Sequence, residues 1–333
     1  MEPGRVLRVG KSYLRYRAGR PSPVFCNYFI TVRCNLSCSY CPVRNPTGSP
    51  IFPFCRRTRE VGTEEAKRMV AEAAELGVLW MSFSGGEPLL REDLEEVAGE
   101  GRERGMVTIL DTNATLVTER RAKSLARVFE VAVVSLQGME EVNDAMRGKG
   151  VFRRTLRGME LLREEGMQVG VNFIITRHNY GEMGKVVEFL RERVDSIVFN
   201  PVCQAEAFRP RGREVEEVER NLLRLKRENP RLIYNSLQHL KAIGRYLRGE
   251  RVVECEPFDL HFSLAPGGEL CGCFYPFPVG RLEGNGRELL ERGRRMRERL
   301  FKECGGCANS SYFHVSHLFR GPLPTLLLRR FSP

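Results

Sequence analysis

Three cysteines within eight residues carry the first recognisable chemistry of this chain: Cys34-Asn35-Leu36-Ser37-Cys38-Ser39-Tyr40-Cys41. Three thiolates on one short loop can wrap one face of a [4Fe–4S] cube. A cube wants four ligands, so one iron stays open to a small chelating molecule. The competing readings are a zinc ion, which usually wants a fourth protein ligand and paired Cys-x2-Cys spacing, and plain burial of the cysteines. Eleven cysteines, odd in number and clustered, suit metal binding better than disulfides. Five of them, Cys255, Cys271, Cys273, Cys304 and Cys307, fall in the last third of the chain.

The elements that must position these thiols alternate. A β-branched and aromatic stretch, Val24 to Val32, feeds directly into the first cysteine loop. Helical periodicity follows over Thr63 to Leu76, with Thr63 a candidate N-cap and Glu64 and Glu65 in the first turn. Strands are then expected at 79–83, 106–110, 131–136, 169–175 and 196–201. Helices are expected at 91–104, 118–127, 153–165, 180–193 and 214–228. Six strand–helix units imply right-handed crossovers and a parallel sheet. The fold class is therefore α/β: a partial (β/α)6 TIM-like barrel over 1–229, with a small Cys-rich α+β module over 230–333 beginning at Asn229-Pro230. In such barrels the chemistry sits at the C-terminal ends of the strands, where the motifs of this chain fall.

The Cys-x3-Cys-x2-Cys run resembles the signature of the radical S-adenosylmethionine (SAM) superfamily. That resemblance implies that Cys34, Cys38 and Cys41 bind a [4Fe–4S] cluster and that SAM chelates the open iron. An electron from the cluster then breaks the sulfonium bond to give a 5′-deoxyadenosyl radical, which removes a hydrogen atom from substrate. Tyr40 would lie against the adenine. Ser84-Gly85-Gly86-Glu87-Pro88 resembles the family's GGEP motif, in which the backbone of Gly85 and Gly86 and the Glu87 side chain receive the SAM ammonium. Asp111-Thr112-Asn113-Ala114-Thr115 resembles a Thr-Asn-Gly stretch with Ala114 in place of Gly. Ser135-Leu136-Gln137-Gly138 resembles Ser-Leu-Asp-Gly with Gln137 in place of the acid. Ser135 would contact the ribose or carboxylate. Arg147 suits the carboxylate, because a guanidinium binds one bidentately. Asn172 is a lesser candidate for the ribose.

The C-terminal cysteines resemble SPASM and twitch modules. Gly268 and four further residues lead to Cys273, and the order is Cys255, Cys273, then Cys304-Gly305-Gly306-Cys307. The resemblance implies that Cys255, Cys273, Cys304 and Cys307 hold one auxiliary [4Fe–4S] cluster, of the one-cluster twitch type, with Cys271 competing with Cys273. By ligand count a structural zinc suits four thiolates equally. The turn Pro266-Gly267-Gly268 is expected to close a β-hairpin. Cys26 reads as core. Cys55 and Cys203 are weak candidates for a hydrogen donor and more often simply buried thiols. His314 and His317, at i, i+3, read as a surface or core pair.

Net charge is +11, from 53 Lys and Arg against 42 Asp and Glu, with the basic residues dispersed among acids. Basic patches interleaved with aromatics are not evident, so nucleic acid is not an expected partner. There is no apolar run of about 18 residues and no secretory h-region, so the expected place is the cytoplasm. The tail, 317–331, mixes apolar residues with arginines and either touches a membrane surface or docks on the barrel, docking being favoured. A flavodoxin- or ferredoxin-like electron donor is implied. Among substrates, oxidation of a small metabolite ranks first, a peptide or protein second, and a lipid or tetrapyrrole third. The non-enzyme alternative, an Fe–S electron carrier, has no need of a three-cysteine site or of the GGEP-like turn.

Overall fold

A computed structural model describes residues 3–41, 59–203, 205–273 and 278–322. Cys55 and the tail beyond residue 322 lie outside the described residues. The chain enters through helix α1 (Pro3–Arg17) and strand β1 (Phe25–Thr31), followed by α2 (Thr63–Leu76), β2 (Trp80–Gly85), α3 (Leu94–Glu103) and β3 (Val107–Thr112). Then come α4 (Glu119–Val128), β4 (Val131–Ser135), α5 (Glu140–Arg147), α6 (Val151–Glu164), β5 (Gln168–Ile175), α7 (Met183–Leu190), β6 (Ser196–Pro201) and α8 (Arg213–Glu228). Strands β1 to β6 are all parallel, each beside the next, as the alternation in the sequence requires. Local signals set the helix ends. Gly77 closes α2 with left-handed φ of 114°, and Thr118 caps α4 by accepting from Arg121 N–H. Thr63 is not the cap of α2: Gly62 takes that place, and the Thr63 hydroxyl donates to Asp93 at 2.8 Å instead.

After α9 (Leu237–Leu247) the chain adds β7 (His261–Leu264), β8 (Glu269–Cys271), β9 (Pro278–Arg281), α10 (Gly286–Glu303) and α11 (Ser310–Arg320). The hairpin expected around 266–268 is β7–β8. β7 pairs in parallel with β1, so one nine-stranded sheet runs β6-β5-β4-β3-β2-β1-β7-β8-β9 across the boundary read at 229–230.

Alternation along each strand separates two cores. Outward residues such as Tyr28, Phe83, Leu110, Phe173 and Phe199 pack with the covering helices. Inward residues Phe25, Trp80, Val107, Ile109, Val131 and Val133 pack with Val9 of α1 and with Tyr312, Val315, Leu318 and Phe319 of α11. The two terminal helices thus fill the floor of the barrel. Neither helix was legible in the sequence. α1 has no acid in its first turn to mark a start, and its apolar positions are few. The described part of the tail docks on the barrel, with Arg320 paired to Glu256 and Phe319 beside Tyr13 and Tyr16 at ring-centroid distances of 6.2 and 6.1 Å. His314 is buried against Tyr234 and His239, which settles its reading as core.

Phe319 is fully buried where both terminal helices meet. Phe319→Ala is expected to cost about 3–5 kcal/mol, measured as a lowered urea midpoint by far-UV circular dichroism.

Candidate functional site

The first cysteine loop leaves the C-terminal end of β1 and is tied down on both sides. The Glu60 carboxylate accepts from Thr31 Oγ1 at 2.6 Å and from Val32 N–H at 3.2 Å. Ser39 N–H donates to the Met146 carbonyl of α5 at 2.9 Å, and Cys41 N–H to the Cys38 carbonyl at 3.1 Å. Burial pushes the Cys34 thiol above its ordinary range, and the nearness of Glu87, Cys38 and Cys41 adds to this. Cys38 and Cys41 thus lie near enough to act on Cys34, although among the described residues no three Cys, His, Asp or Glu side chains stand close enough together to hold a metal ion. Thiols carried at a strand end are the residue type that an iron–sulfur centre takes as thiolates.

The paired glycines have a structural use beside the one expected. A Cβ on Gly85 would stand 2.1 Å from the Thr31 carbonyl oxygen, and one on Gly86 2.1 Å from that of Arg33. Their role is close approach to the cysteine loop itself. Gly86 N–H donates to Thr31 O at 2.8 Å and Glu87 N–H to Arg33 O at 2.7 Å, locking the end of β2 to that loop. Glu87 is likewise tied into the protein. Its carboxylate is fully buried and accepts from Thr112 Oγ1 at 2.6 Å, Asn113 N–H at 2.8 Å and Leu89 N–H at 3.1 Å. Burial raises its pKa against those bonds. The side chain braces β2 against β3.

Asn113 extends the brace. Its amide donates to Asn35 Oδ1 at 2.9 Å, and Asn35 donates to Thr115 Oγ1 at 2.9 Å, joining the cysteine loop to the end of β3. Ala114, at the position of the family's glycine, has φ of +59°, the left-handed conformation that glycine adopts without cost.

At the end of β4, Arg147 is buried and donates through Nη1 to the Ser135 carbonyl, while its Nε has no partner among the described residues. A buried, unspent guanidinium donor fits an arriving carboxylate. Its charge acts on Glu87 and on the Tyr40 hydroxyl, so all three face one space. Gln137 does backbone work: it donates to Asn172 O at 3.2 Å and accepts from Ile174 N–H at 2.6 Å, and Asn143 holds its N–H at 3.0 Å. Asn172 pairs with Asn200 at 3.0 Å.

The C-terminal cysteines influence one another electrostatically, and among the described residues no three of them stand close enough to hold a metal ion. Burial, then Cys273 and Cys304, push the Cys255 thiol up. Burial, then Cys203, Cys255 and Cys304, do the same to Cys307. Cys203 is brought beside this group, its thiol pushed up to about 11, chiefly by burial. Sequence spacing gave no sign of that placement. Cys271 lies on β8 with its thiol 3.9 Å from the Glu269 carbonyl, while Cys273 faces the group.

Residues 28–190 match the sequence model of the Radical SAM superfamily. Over this segment, just under half of the chain, the protein is similar to the radical SAM superfamily. The Fe-coproporphyrin III synthase of Methanosarcina barkeri is 36% identical over 200 residues, covering 58% of this chain and 48% of that protein. The AdoMet-dependent heme synthase of the same organism is 34% identical over 166 residues, 49% of this chain and 46% of that protein. The chain thus spans about half the length of the curated relatives it matches. In fold it resembles Streptococcus suis SuiB bound to S-adenosylmethionine (TM-score 0.64, 17% identity, 92% of this chain and 76% of that one). It also resembles anSMEcpe with bound AdoMet (TM-score 0.65, 18% identity, 89% and 95%). Both likenesses in fold reach well past the matched segment into the region after α8.

Gly86→Ala is expected to displace the Arg33 carbonyl and with it the cysteine loop, so that anaerobic reconstitution yields about four fewer irons per chain. Glu87→Gln places an amide N–H₂ against a backbone N–H and is expected to cost about 1–3 kcal/mol in urea unfolding.

Proposed function

We propose that this protein is a radical SAM enzyme that modifies a tetrapyrrole. The observation that carries the substrate class is the 34–36% identity to two proteins named as tetrapyrrole synthases. This moves the tetrapyrrole ahead of the small metabolite that the sequence ranked first. The basic balance, +11, suits a substrate bearing several carboxylates.

In this reading Cys34, Cys38 and Cys41 hold the SAM-binding [4Fe–4S] cluster. When bound, that cluster supplies the electron that cleaves SAM, and the carbon radical released takes a hydrogen atom from substrate. The strand-end backbone at Gly85 and Gly86 receives the SAM ammonium, with Glu87 fixing its position. Arg147 takes the carboxylate through its unspent donor, Tyr40 lies against the adenine, and Asn113, Ser135 and Asn172 line the ribose side. Cys255, Cys273, Cys304 and Cys307 hold an auxiliary [4Fe–4S] cluster that exchanges electrons with the substrate. A flavodoxin- or ferredoxin-like protein supplies reducing electrons. Among the described residues no helix is long and apolar enough to cross a membrane.

Anaerobic reconstitution is expected to give about eight irons per chain, and dithionite with SAM to yield 5′-deoxyadenosine. Replacing Cys34, Cys38 and Cys41 by Ala abolishes that product, whereas Cys304→Ala with Cys307→Ala removes about four irons. Zinc in place of iron, or no SAM cleavage by the loaded protein, would sink the reading. Iron-coproporphyrin III neither consumed under turnover nor formed from a more highly carboxylated iron tetrapyrrole would remove the tetrapyrrole alone.

A further inference from the structure

Asp111 is the only acidic or basic residue at the inward positions of β1 to β6. It shares the inner face of β3 with Val107 and Ile109, which rest on the apolar floor. Its register partner on β4 is Val133, one layer below Ser135. Several other polar residues of this upper inner face are paired. Ser84 donates to Asn27 at 2.6 Å, Asn200 to Asn172 at 3.0 Å, and Ser263 and Tyr312 share a bond of 2.9 Å.

The carboxylate of Asp111 receives one hydrogen bond, from the Ser82 hydroxyl to Oδ2; Oδ1 has no donor among the described residues. The two structural carboxylates nearby differ. Glu87 collects three donors, and Asp144 also collects three, from Gly150 N–H, Phe152 N–H and Asn143. An ionised carboxylate away from bulk water wants such donors or a cation. Neither is supplied to Asp111: its neighbours on β2 and β4 are Ser82 and Val133, and among the described residues no charged group acts on it. Yet the side chain keeps some solvent contact although it lies deep within the chain, as a residue lining an internal space does.

We propose that Asp111 is a substrate-binding residue, whose free Oδ1 accepts a hydrogen bond from a donor group on the substrate, which on a metallated tetrapyrrole is a protonated carboxyl. The placement under Ser135 rests on the SAM-site reading above; the missing donors do not. Anionic substrate groups would be repelled from this wall and left to basic residues at the rim. The unmet acceptor also carries a stability signature, because burial holds the carboxyl at about 6 against its ordinary 3.8. The folded state binds this proton more tightly than the unfolded one. Stability is therefore lost as pH rises between those two values and stays lower above the second.

The test melts the reconstituted protein and its Asp111→Asn variant anaerobically at pH 4.5 and pH 8. Asp111→Asn keeps a partner for Ser82 and removes the charge. Expected is a melting temperature a few degrees above wild type at pH 8, with the gap closing at pH 4.5. A variant equal to or less stable than wild type at pH 8 overturns the proposal, because Asp111 then has a structural partner. A second arm supplies iron-coproporphyrin III with SAM and dithionite and measures product formed per 5′-deoxyadenosine. A tenfold or greater fall in that ratio for Asp111→Asn is expected, and an unchanged ratio overturns the proposal. If wild type leaves the porphyrin unchanged while the variant is stabilised at pH 8, iron-coproporphyrin III is not the substrate and the unmet acceptor of Asp111 stands.

Discussion

Everything at the mouth of this barrel depends on one contact: the backbone at the end of β2 pressed against the backbone that leaves β1. Two glycines make it, because any Cβ at either position would lie 2.1 Å from a carbonyl oxygen of the cysteine loop. The loop cannot shift without the second strand, and the second strand is bound to the third through the buried Glu87 carboxylate. A rigid site follows from backbone bonds and one buried acid, with side chains left free for ligands.

The barrel spends its interior in two ways. The lower half is apolar and sealed by α1 and α11, which come from opposite ends of the sequence. The upper half is polar, partly paired across strands, and carries a single charged residue, Asp111. The same inner face thus changes from apolar to polar within one strand length. The terminal helix that seals the floor also carries Tyr312, whose hydroxyl is influenced by Cys273 and Cys307. Floor and C-terminal cysteines are therefore built from the same segment.

Joining β7 to the free edge of β1 gives that segment its position. An open six-stranded barrel has two edges, and an unpaired edge beside a cysteine loop would be a weak support. The parallel pairing of Phe25 to Tyr28 with His261 to Leu264 closes one edge and brings the region after α9 against the barrel.

The sequence alone determined the six strand–helix units, the family, and the three thiols of the first loop, because each of these is a local pattern: period, turn chemistry or close spacing. It did not show α1 and α11, whose burial comes from contacts with several strands distributed along the sequence rather than from strong amphipathic patterns of their own. It gave no sign that the glycines approach the backbone leaving β1 or that Glu87 joins β2 to β3, since both act on partners brought near only by the sheet. Cys203 and Asp111 were equally out of reach. A thiol's neighbours and a carboxylate's missing donors are facts of three-dimensional packing, and no spacing along the chain encodes them.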